Sequence, residues 1–383
     1  MSNLSGGEGF FQGDQQEIEN QQGSQQGNQQ EKENDRRKEL YSSWMQGTGP
    51  EAEFVISTRV RLARNISNYT FPSLAADEQL ESIYNLAEAI FRENQDKPPG
   101  FRFLNIHTLS QVYRQALVEK HLISPMLSQQ TRSRALALAD DEIISIMVNE
   151  EDHFRIQCIM SGLQLEQAWL EASRYDDLLE AQVDYAFHEE LGFLTACPTN
   201  VGTGLRVSVM LHLPALVITR RISQILNTIN QVNLTVRGLY GEGTDMVGNI
   251  FQLSNQITLG QSEEEIWQNL YSVTQQLINQ EKKAREQLLN EGREKLEDRA
   301  GRALGILLHA RLLTSQDAMQ FLSDLRLGTD LGLLKKIPVK ALNDLFIITR
   351  PGCLQYLKGR SLSAYERDLE RAHQVKKILH DYQ

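Results

Sequence analysis

The architecture of this chain can be worked out from residues 191–214, LGFLTACPTNVGTGLRVSVMLHLP. A single cysteine, Cys197, precedes a glycine-bearing turn, and Arg206 then begins an alternating apolar run. Alternation with a period of two predicts a strand, and the glycines predict a tight turn before it. A turn that brings a thiol and a guanidinium together indicates a functional site, because a plain core strand needs neither group.

Other alternating or apolar segments on both sides of this stretch predict further strands. They are FVISTRVRLARNI (54–66), IISIMV (143–148), FRIQCIM (154–160), VNLTV (232–236) and NIFQLSN (249–255). Apolar residues at helical spacing predict helices over residues 77–93 and 110–120, and a long helix over 163–191 that ends at Gly192. Strands interleaved with covering helices favour the α+β class with a largely antiparallel sheet.

The chain of 383 residues is long enough for two or three domains. Residues 1–38 are rich in Gln and Glu and poor in aliphatic side chains, so we expect a disordered tail there. Residues 39–260 form the predicted α+β catalytic domain, and 261–383 a small all-helical C-terminal domain. Capping boxes at Ser262–Glu265 and Ser363–Glu366 predict the starts of its first and last helices.

Composition limits the classes of partner. With 39 Lys and Arg against 50 Asp and Glu, the net charge is −11, so we expect no direct binding to nucleic acid. The three cysteines have no CxxC spacing, so neither a zinc site nor a disulfide framework is indicated. The polar N-terminus predicts no secretory signal, and no apolar run is long enough for a membrane helix. We expect a cytoplasmic protein.

Two chemistry-bearing clusters stand out from this background. Asn149–His153, NEEDH, sits between two predicted strands and concentrates acid at a hairpin, while arginines occur at strand ends elsewhere. An acidic turn alone is commonly just solvated, and so is an Arg-x-Arg strand edge. Together they suit a cationic acceptor and a phosphorylated donor. No P-loop and none of the HRD or DFG signatures of protein kinases occurs in the sequence.

The segment CPTNVGTGLRVSV, in order with STRVR, NEEDH and RGLYGEG, resembles the guanidino kinases, and among them most closely the bacterial protein-arginine kinases. The similarity runs from about Trp44 to the C-terminus. It implies a guanidino-kinase-like catalytic domain and transfer of the γ-phosphoryl group from ATP, with Mg²⁺, to arginine in proteins. Glu151 matches the catalytic base, and Cys197 the cysteine beside the acceptor guanidinium. Glu242 matches a carboxylate that holds that guanidinium.

The resemblance also implies ATP contacts along four segments and one histidine, and no metal ligand from the protein. The residues are Ser57, Thr58, Arg59, Val60, Arg61, His121, Arg155, Arg206, Val207, Ser208, Val209, Met210, Arg237, Gly238, Leu239, Tyr240, Gly241 and Glu242. In RDLERA near the C-terminus we expect an allosteric phosphoarginine pocket, although alone such a run is typical of a solvated helix face. Its residues are Arg367, Asp368, Leu369, Glu370, Arg371 and Ala372.

Two other functions stay open on the sequence alone. One is a phosphagen kinase that acts on free arginine or creatine, disfavoured because STRVR follows soon after the tail and because RDLERA is present. The other is a catalytically silent adaptor that binds ATP or phosphoarginine. By resemblance, the expected partners are protein substrates with exposed arginine, a McsA-type activator, a ClpC-type unfoldase or protease, and a heat-shock repressor. The expected setting is protein quality control under stress, with a homodimer formed through the helical domain.

Overall fold

A computed structural model describes residues 30–92, 100–129, 132–230, 233–238, 247–335 and 337–382. Within these residues the fold has one large antiparallel sheet, helices on both of its faces and a helical C-terminal region, as the sequence predicts. A 30–39 segment is also helical, so the tail that was predicted to be disordered to residue 38 is ordered from residue 30 onward. We label this helix α1.

In the described residues the large sheet has eight strands in the order β2-β3-β4-β5-β1-β8-β10-β9, and every neighbouring pair is antiparallel. Its strands are β1 (Val55–Arg64), β2 (Phe101–Asn105), β3 (Ala135–Ala139), β4 (Ile144–Val148), β5 (Phe154–Ser161), β8 (Leu205–His212), β9 (Leu234–Gly238) and β10 (Ile250–Asn255). A small hairpin pairs β6 (Phe187–His188) with β7 (Gly192–Phe193). The six predicted strands are therefore consecutive neighbours in one sheet, from β4 to the edge strand β9.

Short helices and turns connect the strands, and longer helices cover them. The helices are α2 (Asp77–Arg92), α3 (Gln111–Glu119), α4 (Pro125–Gln129), α5 (Leu165–Glu180), α6 (Pro214–Ile218), α7 (Ile222–Asn230), α8 (Glu263–His309), α9 (Ser315–Asp330), α10 (Val339–Ile348), α11 (Pro351–Lys358) and α12 (Ala364–His380). Single 3₁₀ turns lie at Ser43–Gln46, Ile106–Thr108, Pro198–Asn200 and Val247–Asn249. Both predicted capping boxes are present, at the starts of α8 and α12.

The long helix predicted for residues 163–191 ends earlier, at Glu180. The chain then turns back into the β6–β7 hairpin, where Phe187 is exposed instead of continuing the buried helical face. Gly192 adopts a left-handed φ of 75°, but as part of this hairpin and not as a helix cap. A Cβ at this position would lie 2.5 Å from the carbonyl oxygen of Gly202, so the close approach of the two loops requires glycine here.

Two large hydrophobic cores lie on opposite faces of the sheet, and a smaller third core packs α3 and α4 against β3 and β4. The first packs α2, α5 and the first half of α8 against one face. The second packs α9–α12 against the other face, where Ile56, Ile159, Met210 and Ile250 project from four adjacent strands. The helical domain thus covers only part of that second face, and the uncovered part carries polar side chains. Those polar side chains form the candidate site.

Candidate active site

Strand register gathers the predicted arginines on one face of the sheet. Arg61 of β1 lies directly opposite Gln157 of β5 on one side and Arg206 of β8 on the other. Two residues earlier on β1, Arg59 lies between Ile159 of β5 and Ser208 of β8. Because side chains alternate across a strand, Arg59 and Arg61 project from the same face, as the sequence predicts. The alternate residues of these strands form the apolar core on the far face.

These side chains line a cavity of about 530 Å³. The cavity brings together Arg59, Arg61, His121, Glu151, Arg155, Cys197, Arg206, Arg237 and Gly238, all of them predicted from the sequence. They come from six different segments of the chain, so only the folded sheet places them side by side. A cavity of this size is within the range of small-molecule binding sites.

The cavity wall is strongly basic although the chain is acidic overall. Among its described lining residues six are arginines and two are glutamates. Burial, together with the charges of Arg155 and Arg206, lowers the pKa of Arg59 to about 10. Burial and the same crowding of like charges lower the pKa of Arg61 well below its usual range, and burial and the charge of Arg237 lower the pKa of Arg206. Concentrated, desolvated guanidinium groups of this kind are stabilised by a bound polyanion.

Two adjacent glutamates flank one arginine at the edge of the cavity. Arg155 Nη1 lies 2.8 Å from Glu150 Oε2, and its Nη2 lies 2.7 Å from Glu151 Oε2. Glu150 is buried and also accepts hydrogen bonds from Ser124 and from the Glu151 backbone N–H. Glu151 is more exposed, and of the two glutamates only Glu151 lines the cavity. The hairpin therefore presents Glu151 to a ligand and uses Glu150 to fix Arg155.

A buried polar network ties this hairpin to the cysteine segment. Asp152 Oδ1 accepts a hydrogen bond from Asn65 Nδ2 and another from the backbone N–H of Ala196, each at 2.7 Å. His153 accepts from the Ile66 N–H through Nδ1 and contacts the Thr70 carbonyl oxygen through Nε2. Burial lowers the pKa of His153 to about 4, so this imidazole is neutral at physiological pH. Glu151 and Cys197 are each one residue away from the Asp152–Ala196 hydrogen bond.

Cys197 stands at the start of the Pro198–Asn200 turn with its thiol in the cavity. Its Sγ lies 3.0 Å from Thr199 Oγ1. Gly202 follows with a φ of 115°, and a Cβ there would lie 2.5 Å from the Thr258 carbonyl oxygen. The glycine-bearing turn predicted from the sequence is thus required by close backbone packing, which delivers the thiol and Arg206 to one place.

Not every residue of the predicted ATP segments faces the cavity. Thr58, Val60, Val207 and Val209 are fully buried on the opposite face of the sheet, so their side chains do not line it. The prediction covered whole segments, whereas strand alternation exposes only every second residue. Ser57, Ser208 and Met210 line a much smaller adjoining cavity of about 10 Å³, which shares Arg59, His121 and Gln252 with the main one. Leu239, Tyr240, Gly241 and Glu242 lie outside the described residues.

His121 occupies the turn after α3 in a left-handed conformation, with a φ of 61°. Its ring lies 6.0 Å from that of Trp44, measured between centroids. Burial and the charges of Arg350, Arg59 and Arg61 lower the pKa of His121 well below its usual range. In the described part of the chain its Nε2 atom is buried and has no hydrogen-bond partner, so it is available to a ligand in the cavity.

Several lining residues were not predicted from the sequence. Gln252 and Ser254 are the polar positions of the alternating strand β10, so the alternation itself was a usable signal for them. Glu119 and Arg350 also line the cavity, but no local pattern marks either residue. Arg350 comes from the helical domain, whose contact with the cavity exists only in the folded chain.

The RDLERA residues lie on the first half of α12. Arg371 is buried, and its guanidinium donates to the carbonyl oxygens of Thr349 and Leu313 and to Asp368. Ala372 is also buried, whereas Leu369 is exposed. Arg367 is half-buried and donates to the Leu362 carbonyl oxygen at 2.8 Å. The motif is therefore partly built into the helical core, with Arg367 and Asp368 nearer the surface.

The described residues also bear on metal binding and on membrane insertion. In them, no group of three or more His, Cys, Asp or Glu side chains is placed to hold a metal ion. Of the described helices, none combines the length and apolar character needed to cross a membrane.

Comparison with known proteins matches both parts of the chain. Residues 82–284 match the family model "ATP:guanido phosphotransferase, C-terminal catalytic domain", and residues 293–383 match "Protein-arginine kinase McsB C-terminal domain". A protein-arginine kinase of Desulforamulus reducens is 50% identical over 341 residues, which cover 88% of this chain and 96% of that protein. One of Moorella thermoacetica is 49% identical over 343 residues, covering 89% and 98%.

Solved structures of phosphagen kinases share the fold. A taurocyamine kinase of Schistosoma mansoni has a TM-score of 0.53 at 26% identity, covering 62% of this chain and 34% of that one. A lombricine kinase has a TM-score of 0.54 at 23% identity, covering 64% and 70%. With about half of its residues shared with protein-arginine kinases along nearly their whole length, and with both of their domains matched, this chain belongs to the protein-arginine kinase family of ATP:guanido phosphotransferases.

Proposed function

We propose that this protein transfers the γ-phosphoryl group of Mg-ATP to the guanidinium of arginine residues in other proteins. The observation that carries the proposal is the cavity, which combines a cluster of desolvated arginines with Glu151 and Cys197. Phosphoryl transfer depends mainly on positioning and on neutralising phosphate charge, which is what such a cluster provides. Mg²⁺ would be carried by the phosphates and would neutralise part of their charge.

The reaction requires an acceptor nitrogen that can attack phosphorus. A protonated guanidinium is a poor nucleophile, so Glu151 accepts a proton from the attacking nitrogen. A nitrogen–phosphorus bond then forms, the bond from phosphorus to the bridging oxygen of ADP breaks, and ADP leaves with that electron pair. Cys197 lies beside the acceptor and holds the guanidinium in line. Glu242, outside the described residues, is the proposed second carboxylate for the acceptor.

The direct test is to incubate the purified protein with Mg-ATP and with either an arginine-rich unfolded protein or free arginine. Mass spectrometry under non-acidic conditions detects the acid-labile phosphoarginine. We expect phosphoarginine in the protein and none on free arginine. Product on free arginine alone would make the chain a phosphagen kinase. Absence of both products, with a McsA-type activator added, would favour the silent adaptor.

We also propose the wider role that the resemblance implies. The match of residues 293–383 to the C-terminal domain of protein-arginine kinases supports a regulatory helical domain that dimerises and binds phosphoarginine. In such a pocket, Asp368 would bind the guanidinium of phosphoarginine and Arg367 its phosphate. The proposed substrates are unfolded proteins and a heat-shock repressor in the cytoplasm, delivered after phosphorylation to a ClpC-type protease. Sedimentation with and without free phosphoarginine tests the dimer and the pocket together.

A further inference from the structure

Arg350 is an arginine of the cavity wall that comes from the helical domain. The other five arginines of the wall belong to the strands of the sheet: Arg59, Arg61, Arg155, Arg206 and Arg237. Arg350 directly precedes α11 and is 5% exposed, so its guanidinium is sequestered from bulk water. Its Nε donates to the Phe346 carbonyl oxygen at 3.3 Å, and the side chain still forms part of the cavity lining.

The backbone around Arg350 is held from both domains. On the catalytic side, the Glu119 carboxylate accepts the backbone N–H groups of Gly352 and Cys353 at 2.9 and 2.8 Å. On the helical side, Arg371 Nε donates to the Thr349 carbonyl oxygen at 2.7 Å. Between these two sets of hydrogen bonds, Pro351 fixes the φ angle of the first residue of α11. Arg350 is thus placed rigidly, as a residue that binds a ligand in a defined position must be.

The order of residues along β1 locates Arg350 within the cavity. Arg61 pairs with Arg206, and beyond it the Ala63 N–H donates to the Gly204 carbonyl oxygen at 3.0 Å, so this end of the strand adjoins the cysteine segment and the proposed acceptor. Arg59 lies two residues earlier, about 7 Å further from that end. The Glu119 carboxylate, which accepts the N–H of Gly352, lies only two residues before His121, so Arg350 lies on the His121 side of the cavity. Arg59 and His121 also line the small adjoining cavity, whereas Cys197 does not.

We propose that Arg350 is a nucleotide-binding residue, supplied by the helical domain, that contacts the phosphates nearest the nucleoside and not the phosphoryl group that is transferred. The assignment rests on the proposed kinase function for the identity of the ligand. Its consequence is that nucleotide affinity depends on the helical domain being docked on the sheet. Since the contact is present equally in the ground state and the transition state, it contributes to binding and not to the chemical step.

The test measures binding of Mg-ADP and of a non-hydrolysable Mg-ATP analogue to the full chain by calorimetry. We expect R350Q to weaken the binding of both ligands by the same factor. The factor should be about 10- to 100-fold, which corresponds to the loss of one charged hydrogen bond. R350K, which keeps the charge but loses the planar fork, should fall between R350Q and the unchanged protein. The matched control is R311Q, which removes an exposed arginine of the same domain and should bind within twofold of the unchanged protein.

Kinetics separate this role from a structural one. At saturating Mg-ATP, the kcat of R350Q should be within about threefold of that of the unchanged protein, and its KM for the protein substrate should be unchanged. Its KM for ATP should rise in proportion to the loss of nucleotide affinity. Thermal unfolding without nucleotide shows whether each variant is folded, and R350K remains as the test if R350Q is not. Two results would overturn the proposal: a folded variant that binds Mg-ADP normally, or one that loses affinity only for the ATP analogue. Because calorimetry needs no acceptor, either result is independent of whether proteins are the substrates.

Discussion

Replacing Asp152 with alanine should slow phosphoryl transfer without weakening nucleotide binding. Asp152 is completely buried and does not line the cavity, so it cannot contact a substrate. Its Oδ1 is the acceptor that joins the hairpin of Glu151 to the backbone of the cysteine segment at Ala196. Without this acceptor, the base and the thiol are no longer fixed relative to each other.

The size of the effect follows from the two hydrogen bonds. Alanine would leave the Asn65 amide and the Ala196 N–H without their acceptor, at about 1–3 kcal/mol for each buried donor. Removing the carboxylate offsets part of this loss. Burial raises the pKa of Asp152, which means that its ionised form destabilises the fold. We expect a loss of about 2 kcal/mol in the free energy of unfolding. A displacement of the catalytic groups by about 1 Å would lower kcat by about 100-fold.

Asp152→Asn is the matched control. Its side-chain oxygen can accept both hydrogen bonds, and its amide nitrogen would take the place of Oδ2, which has no hydrogen-bond partner in the described residues. We therefore expect kcat within about fivefold of the unchanged protein. The assay follows phosphoarginine formation on an unfolded protein at saturating Mg-ATP, with calorimetric binding of Mg-ADP measured in parallel. An unchanged kcat in a destabilised Asp152→Ala protein would refute the positioning role, and an equal loss in both variants would show that the negative charge itself is required.

Three further predictions concern the base, a buried histidine and the first helix. Glu151→Gln should lower kcat by about 10²- to 10⁴-fold while Mg-ADP affinity is retained, measured by the same two assays. Because the pKa of His153 is about 4 in the fold and about 6.5 when unfolded, only the unfolded chain gains a proton as the pH falls from 6.5 to 4. The free energy of unfolding should fall by about 3 kcal/mol across that window relative to His153→Asn, measured by urea titration. Removing residues 1–29 should leave stability and activity unchanged, whereas removing 1–39 should cost about 1 kcal/mol in the same titration, because Glu33 pairs with Lys358 at 2.9 Å.

The strands and the main site could be predicted because both depend on local pattern. Alternation located β1, β5, β8 and β10, and the order of motifs located Arg59, Glu151, Cys197 and Arg206, which the sheet then gathers in one cavity. The same alternation, applied residue by residue, would have removed the core-facing side chains from the predicted ATP contacts. The predicted ATP contacts included these side chains because whole segments, and not single residues, were assigned.

The remaining differences arise from tertiary contacts that no local pattern encodes. Residues 30–39 have the polar composition of a disordered segment, yet they form a helix that contacts the helical domain through Arg37 and Gln374 as well as Glu33 and Lys358. Arg350 is separated by more than 100 residues from every other arginine of the cavity, so its place in the wall follows only from domain docking. Composition reports the average tendency of a segment, and a few specific partners can override it.

The boundary between the two predicted domains shows why that docking matters. It was predicted at residue 261, just before α8, but the first half of α8 packs in the core of the sheet, and only its last turns, with Leu304, Leu307 and Leu308, join the helical core. The two halves meet at Gly292, where the backbone leaves helical geometry and where the two matched family models also divide. In the opposite direction, Trp44 and Ile56 from the catalytic side lie in the helical core. Since each part completes the core of the other, the helical domain cannot separate from the sheet without exposing apolar surface, and the arginine that it contributes to the cavity is held by the same contacts.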